Sequence, residues 1–173
     1  MFILTQLKSI KTFVFDMDGV LTDGSMLVKD EQNWLRQMNV KDGYALQLAV
    51  RSGYNVVVIS GSNSIPVAQR LQKLGLTNVF MSIHNKEIFL KDFAVKNQLS
   101  LSEMLFMGDD IPDYQCMKMV GIAACPADAA FDIKGIAHYV SPINGGKGCV
   151  RDVLEKVLKL NHQWPLETSI TST

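Results

Sequence analysis

The sequence predicts an α/β domain with a Rossmann-like, doubly wound parallel sheet. Short apolar runs alternate along the chain with segments of helical period, and the clearest run, NVVVIS at 55–60, shows no polar alternation. Continuous apolar strands are typical of sheets covered on both faces, and strand–helix alternation is typical of parallel sheets. The length of 173 residues suits one domain over 1–160, followed by a polar tail over 161–173 that is either disordered or docked on a neighbouring subunit.

The first third of the chain predicts a strand, a hairpin and a helix. Residues 12–15 (TFVF) form an apolar strand that leads into an irregular stretch. Residues 24–40 combine alternating apolar positions with the turn signal KDEQN, which predicts a small β-hairpin flap. The segment 43–51 has a helical period and precedes the buried strand at 55–60, so the chain returns to the sheet without room for a cap domain.

The remaining elements alternate in the same way. A helix at 64–74 begins near Pro66 and ends before Gly75, which are the usual places of these two residue types. A helix at 86–97 carries its apolar residues at helical spacing. The further predicted strands are 78–82, 104–108, 121–124 and 138–141, and the further predicted helices are 112–118, 128–134 and 148–160.

Composition excludes several classes of function. Lysine and arginine total 17, as do aspartate and glutamate, and the pI is near 6.8, which argues against binding nucleic acid or a membrane surface through bulk charge. No stretch resembles a signal peptide or a membrane span. Three cysteines without C-x-x-C spacing, Cys116, Cys125 and Cys149, predict reduced thiols in a cytoplasmic protein.

Reactive side chains follow four predicted strands. They are Asp16, Asp18, Ser60, Lys86, Asp109, Asp110 and Asp113. Because ligands bind at the carboxyl ends of parallel strands, these groups should meet at one sheet edge. Clustered carboxylates call for a divalent cation, for which all-oxygen ligation favours Mg²⁺, and a neighbouring Lys and Ser suit phosphoryl oxygens.

Each of these signals has a simpler explanation when taken alone. The D-x-D pattern of Asp16 and Asp18 also occurs in surface turns, although an EF-hand is excluded because its glycine would lie at the sixth position. Ser60 could be a turn residue, Lys86 a solvated residue in the first turn of a helix, and GDDIPD an acidic helix start. Their joint placement after successive strands favours one functional site.

The motifs resemble those of the haloacid dehalogenase (HAD) superfamily of phosphotransferases. DMDGVLTDG at 16–24 is similar to the first motif of that family, VVVIS at 56–60 to the second, and GDDIPD at 108–113 to the fourth, with Lys86 at the third. The resemblance implies that Asp16 is the nucleophile and Asp18 the general acid and base. It also implies that Asp16, the Asp18 backbone carbonyl and Asp109 bind Mg²⁺, supported by Asp110 and Asp113, while Ser60 and Lys86 hold the phosphoryl group.

The short spacing between the first three motifs indicates a capless member of the superfamily. The resemblance to capless relatives, which form homotetramers, implies a homotetramer for this chain. Within this subclass the chain resembles the group that hydrolyses 3-deoxy-D-manno-octulosonate 8-phosphate, a sugar of lipopolysaccharide biosynthesis. The GGKGCVRDV stretch at 145–153 is similar to a glycine-rich motif of that group. The resemblance implies substrate contacts from Gly61, Ser62, Gly145, Gly146, Lys147, Gly148 and Arg151. Two interpretations are open for the last five of these residues. The glycines could form a turn that exposes N–H groups to an anion, or the stretch could be an ordinary helix start with Arg151 in water.

Two alternatives stay open at this stage. Ser62 departs from the Arg or Glu that related octulosonate and nonulosonate phosphatases carry after the second motif, so a nonulosonate 9-phosphate or another sugar phosphate is an alternative substrate. A receiver-type signalling domain also combines Mg²⁺, Asp, Ser and Lys on a parallel sheet. It should carry its acidic pair early and its phosphorylated Asp in mid-chain, which is the reverse of this order.

Overall fold

The central feature is a six-stranded parallel sheet, seen in a computed structural model that describes residues 2–30 and 34–164. The strands of the sheet are β1 Thr12–Phe15, β4 Asn55–Ile59, β5 Asn78–Phe80, β6 Met104–Met107, β7 Ile122–Cys125 and β8 Tyr139–Val140, and those of a separate antiparallel hairpin are β2 Leu27–Val28 and β3 Trp34–Leu35. The strand order is β5-β4-β1-β6-β7-β8. The chain winds outward from β1 on one side and then on the other, which confirms the predicted doubly wound fold.

Helices cover both faces of this sheet. They are α1 Phe2–Lys8, α2 Val40–Arg51, α3 Ile65–Lys73, α4 Lys86–Lys96, α5 Tyr114–Met119, α6 Phe131–Ile136 and α7 Cys149–Leu160. In β1, Phe13 and Phe15 pack toward α1, α2, α3 and α7, whereas Val14 packs toward α4, α5 and α6. Side chains alternate between faces along a strand, so two apolar layers require the continuous apolar runs seen in the sequence.

Element boundaries differ from the prediction in a few places. Helix α1 was not predicted, and α2 begins at Val40 because the side chain of Asn39 accepts a hydrogen bond from the Lys41 N–H at 2.8 Å. Strand β5 ends at Phe80, two residues early, and Ser82 has a left-handed φ of 58° that a strand does not accommodate. No helix among the described residues has the length and apolarity to cross a bilayer.

Between β1 and β4 the described residues form a short helical turn at Met17–Leu21, the hairpin and α2, and none of these is a cap domain. Past α7, residues 161–164 lie against their own chain. The Tyr54 hydroxyl donates to Gln163 Oε1 at 2.7 Å, and the Trp164 ring packs edge-on against Tyr44 at 6.0 Å. Residues 165–173, the rest of the predicted tail, lie outside the described residues, so the proposed tail boundary and docking stay predictions.

The glycine-rich turn before α7 packs directly on the loop that follows β1. A Cβ added at Gly145 would lie 1.9 Å from the Gly19 carbonyl oxygen, and one at Gly146, whose φ is +62°, would lie 2.4 Å from the Asp23 nitrogen. The Gly146 N–H donates to the Val20 carbonyl at 2.9 Å. Only residues without a side chain allow this close approach of two backbones.

We therefore expect Gly145→Ala to reduce the free energy of unfolding by about 2 to 3 kcal/mol, because one of the two backbones must move. Gly135→Ala is the matched control, since a Cβ there meets nothing within 4 Å. The control should be neutral or slightly stabilising, as alanine favours a helix by about 1 kcal/mol over glycine. Denaturant unfolding measures both variants, and equal stabilities would contradict the close packing.

Candidate active site

The predicted reactive residues meet at the carboxyl edge of the sheet. The loops after β1 and β6 carry Asp16 and Asp109, the loop after β4 begins at Ser60, and Lys86 opens α4 after β5. Asp113 joins them from a short 3₁₀ turn, Ile111–Asp113, that precedes α5. The edge lies at the point where the winding direction reverses around β1, which is the usual ligand position in open α/β sheets.

A buried lysine links two buried carboxylates at the centre of this edge. The Lys86 ammonium donates to Asp16 Oδ1 at 2.6 Å and to Asp113 Oδ1 at 2.7 Å, and all three side chains are less than a tenth exposed. Burial alone would lower the pKa of Lys86, but the charges of Asp113 and Asp16 outweigh it and raise that pKa. The lysine is therefore held in its charged form.

Three carboxylates surround a space that suits a metal ion. One oxygen from each of Asp16, Asp109 and Asp113 lies within 4.8 Å of the others. Burial raises the pKa of Asp109 to about 8, with the charges of Asp16 and Asp113 adding to it, and burial raises the pKa of Asp113 to about 6. Burial also raises the pKa of Asp16 against the opposing charge of Lys86. One lysine does not neutralise three carboxylates, and an all-oxygen set of this kind fits Mg²⁺.

Two glycines let the acidic residues come together. Gly19 has φ +91°, and a Cβ there would lie 2.0 Å from Asp109 Oδ2. A Cβ at Gly108 would lie 2.4 Å from the Asp113 Cβ. The Asp109 N–H donates to Asp113 Oδ2 at 3.2 Å, which turns the Asp113 carboxylate toward Lys86 and the cluster.

Asp18 points to a different set of partners. Its carboxylate accepts hydrogen bonds from Arg36 Nε at 2.6 Å, Arg36 Nη2 at 3.2 Å and the Ser62 hydroxyl at 2.7 Å. Ser60 is buried beside them, and its hydroxyl accepts the Ser62 N–H at 3.1 Å. Gly61 completes this loop. Arg36 was missed in the sequence, because a single arginine after a predicted hairpin strand carries no signal of its distant partner.

The remaining predicted site residues have hydrogen-bond partners outside the acidic cluster. Asp110 is exposed, and its side chain accepts the Ile111 N–H at 2.8 Å as a cap of the 3₁₀ turn. The Gly145 and Gly146 N–H groups donate to Asp128 Oδ1 and Val20 O. Of the two interpretations left open for this turn, the one in which the Gly145 and Gly146 N–H groups are exposed to an anion is therefore wrong.

The charged residues of the same stretch also bind within the chain. Lys147 pairs with Asp23 at 2.9 Å. The Arg151 guanidinium, on the first turn of α7 after Gly148, pairs with Glu155 at 3.0 Å and lies 5.2 Å from the centre of the Trp164 ring. A substrate contact for either residue stays a prediction, as does the role of the glycine turn.

The buried side chain of Asp42, on α2, binds the first turn of α7. Its Oδ1 accepts the Arg151 N–H at 2.7 Å, whereas its Oδ2 has no hydrogen-bond partner among residues 2–30 and 34–164. Burial raises the pKa of Asp42 to about 6. This carboxylate was not predicted as important from the sequence, because its partner is a backbone group about 110 positions away.

Lys86→Met should destabilise the metal-free protein by about 3 kcal/mol at neutral pH, because it leaves two buried carboxylates without their cation. Lys91→Met is the control in the same helix, since Lys91 pairs with Glu87 on an exposed surface. The control should change stability by less than about 0.5 kcal/mol. Thermal unfolding measures both, and equal losses would contradict the structural role of Lys86.

Known proteins closely resemble this chain in sequence and structure. The 3-deoxy-D-manno-octulosonate 8-phosphate phosphatase KdsC of Escherichia coli strain K12 is 32% identical over 156 residues, which are 90% of this chain and 83% of the relative. KdsC of Salmonella typhi has the same identity and coverage. No family model matches the chain.

Solved structures agree with this relationship. The crystal structure of the Yersinia pestis octulosonate 8-phosphate phosphatase has a TM-score of 0.89 and 28% identity, covering 92% of this chain and 86% of that one. The Moraxella catarrhalis enzyme, crystallised with magnesium, phosphate and KDO, has a TM-score of 0.88 and 30% identity, covering 91% of each chain. The shared fold, the identity above 30% and the coverage of nine-tenths of the chain lead to one conclusion: this chain belongs to the 3-deoxy-D-manno-octulosonate 8-phosphate phosphatase (KdsC) family of HAD hydrolases.

Proposed function

We propose that this chain is an Mg²⁺-dependent phosphatase that releases inorganic phosphate from 3-deoxy-D-manno-octulosonate 8-phosphate. The observation that carries this proposal is the buried contact of Lys86 with Asp16 and Asp113, with Asp109 beside them, in a member of this family. A lysine held charged next to a nucleophilic carboxylate can receive the phosphoryl oxygens that the carboxylate must approach.

Each residue then has a role in two steps. Asp16 attacks phosphorus to form an aspartyl-phosphate, while Asp18 protonates the oxygen of the departing sugar and afterwards accepts a proton from water. Ser60 and Lys86 hold the phosphoryl oxygens. A bound Mg²⁺, held by Asp16, Asp109 and the Asp18 carbonyl with Asp113 and Asp110 in support, would neutralise phosphoryl charge.

The same proposal includes a homotetramer in the cytoplasm. The site has no cap over it in the described residues, and four large apolar side chains of the hairpin, Leu27, Val28, Trp34 and Leu35, are about half exposed or more. Exposed apolar side chains of this kind suit burial against another copy. The three cysteines are free and buried, which suits a reducing compartment.

A related nine-carbon sugar-acid phosphate is the second candidate substrate. Ser62, the position that differs from related groups, donates its hydroxyl to Asp18 and brings no charge of its own to the loop. Discrimination between eight-carbon and nine-carbon substrates therefore has to come from other contacts. Gly61, Lys147 and Arg151 are candidates for those contacts. A receiver-type signalling domain is disfavoured, because the relatives are phosphatases and Asp18 is available for hydrolysis.

Phosphate release from purified protein tests the proposal. We expect Mg²⁺-dependent turnover of octulosonate 8-phosphate in preference to nonulosonate 9-phosphate and hexose phosphates, and its loss in EDTA. Asp16→Asn should lower kcat at least about 10³-fold because no nucleophile remains. Asp92→Asn, an exposed change on α4, is the control that should keep full activity.

The pattern of failure separates the parts of this proposal. A preference for the nine-carbon substrate would overturn the octulosonate assignment and leave the phosphatase assignment intact. Turnover that persists in Asp16→Asn would overturn the mechanism. A monomer in analytical ultracentrifugation would overturn the tetramer.

A further inference from the structure

Arg36 forms a clamp on Asp18 together with Ser62. Arg36 Nε and Nη2 each contact a different oxygen of the Asp18 carboxylate, at 2.6 and 3.2 Å, and the Ser62 hydroxyl donates to Oδ2 at 2.7 Å. Arg36 Nη2 also donates to the Ser62 hydroxyl at 3.2 Å, so the three side chains are mutually bonded. A bidentate arginine–carboxylate pair fixes the plane of the carboxylate as well as its position.

Further contacts hold Arg36 in this clamp. The Arg36 side chain is only 3% exposed although the hairpin that carries it is open to solvent. Its Nη1 donates to the Trp34 carbonyl at 3.3 Å, and a β-bridge between Thr22 and Met38 joins the base of the hairpin to the loop after β1. The guanidinium is thus tied to the same loop that carries Asp18.

In this arrangement Asp18 acts as a hydrogen-bond acceptor through both of its oxygens. Its partners Arg36 and Ser62 are separate from the buried cluster formed by Asp16, Asp109 and Asp113. An accepting, oriented carboxylate is the form required of a general base. The geometry therefore matches the second step of the proposed reaction, in which water attacks the aspartyl-phosphate.

We propose that Arg36 is a positioning residue for this hydrolytic step, an inference that rests on the proposed function. In the step, water gives a proton to an Asp18 oxygen while its own oxygen forms a bond to phosphorus. The bond between phosphorus and the Asp16 oxygen breaks, and its electron pair returns to the Asp16 carboxylate. Inorganic phosphate leaves, and Asp18 keeps the proton for the next departing sugar or for solvent.

With a good leaving group, a role of Arg36 in hydrolysis can be distinguished from a role in formation of the aspartyl-phosphate. A p-nitrophenolate ion departs without a proton, so formation of the aspartyl-phosphate from p-nitrophenyl phosphate does not depend on the orientation of Asp18. Hydrolysis of the intermediate still depends on it. Loss of Arg36 should therefore slow only the second half of the reaction with this substrate.

Rapid mixing of Arg36→Met with p-nitrophenyl phosphate and Mg²⁺ tests the inference. We expect a burst of about one nitrophenolate per active site, followed by turnover roughly 100-fold slower than in the wild type, since general base catalysis contributes about 10²–10⁴-fold. Acid quenching should trap a hydroxylamine-sensitive phosphate on the protein. Arg36→Lys keeps one contact and should recover part of the rate, and Ser62→Ala should show a smaller loss of the same kind.

Arg51→Met is the matched control, because Arg51 is exposed on α2 and its change removes the same charge. It should behave as the wild type, and thermal unfolding should show that all variants are folded. A slow Arg36→Met without a burst, a raised KM with unchanged kcat, or an unchanged rate would each overturn this inference while the wild type stays active. A wild type that releases phosphate from neither p-nitrophenyl phosphate nor octulosonate 8-phosphate would overturn the proposed function itself.

Discussion

The contact of one buried lysine with two buried carboxylates is the constraint on which the site depends. Lys86 neutralises part of the charge that Asp16 and Asp113 bring to the sheet edge, yet Asp109 adds a third carboxylate to the same space. Burying charge without compensation is costly. The cluster is therefore short of positive charge, and that deficit is what makes it suited to a divalent cation and to a phosphoryl group.

The surrounding fold keeps these like charges together. Gly19 and Gly108 leave no side chain between the acidic residues. The glycine turn at Gly145 packs against the backbone of the loop after β1. Asp18 lies only two residues from Asp16 but is held by Arg36, so the two carboxylates of the D-x-D motif have different surroundings. That division matches the separate roles of nucleophile and acid–base group in the proposed mechanism.

Much of this architecture could be predicted from the sequence, because it depends on local patterns. The strands are mostly continuous apolar runs, and the reactive residues follow them within about six positions, so the parallel topology brings these residues to one edge. Arg36 and Asp42 were missed because their partners are distant in sequence and lie on other elements. The partners of the glycine-turn N–H groups could not be predicted for a related reason: Gly145 and Gly146 donate to Asp128 and Val20, which lie far away in the sequence.

The most direct test of the charge deficit is the unfolding temperature with and without Mg²⁺, at matched ionic strength and without substrate. A ligand at a hundred times its dissociation constant stabilises by about 2.7 kcal/mol, which corresponds to roughly 5 to 10 °C for a domain of this size. We expect such a rise in the wild type. We expect Asp109→Asn to be at least as stable as the wild type without metal and to lose the response to Mg²⁺. An unchanged temperature in the wild type, or an equal rise in Asp109→Asn, would contradict the account.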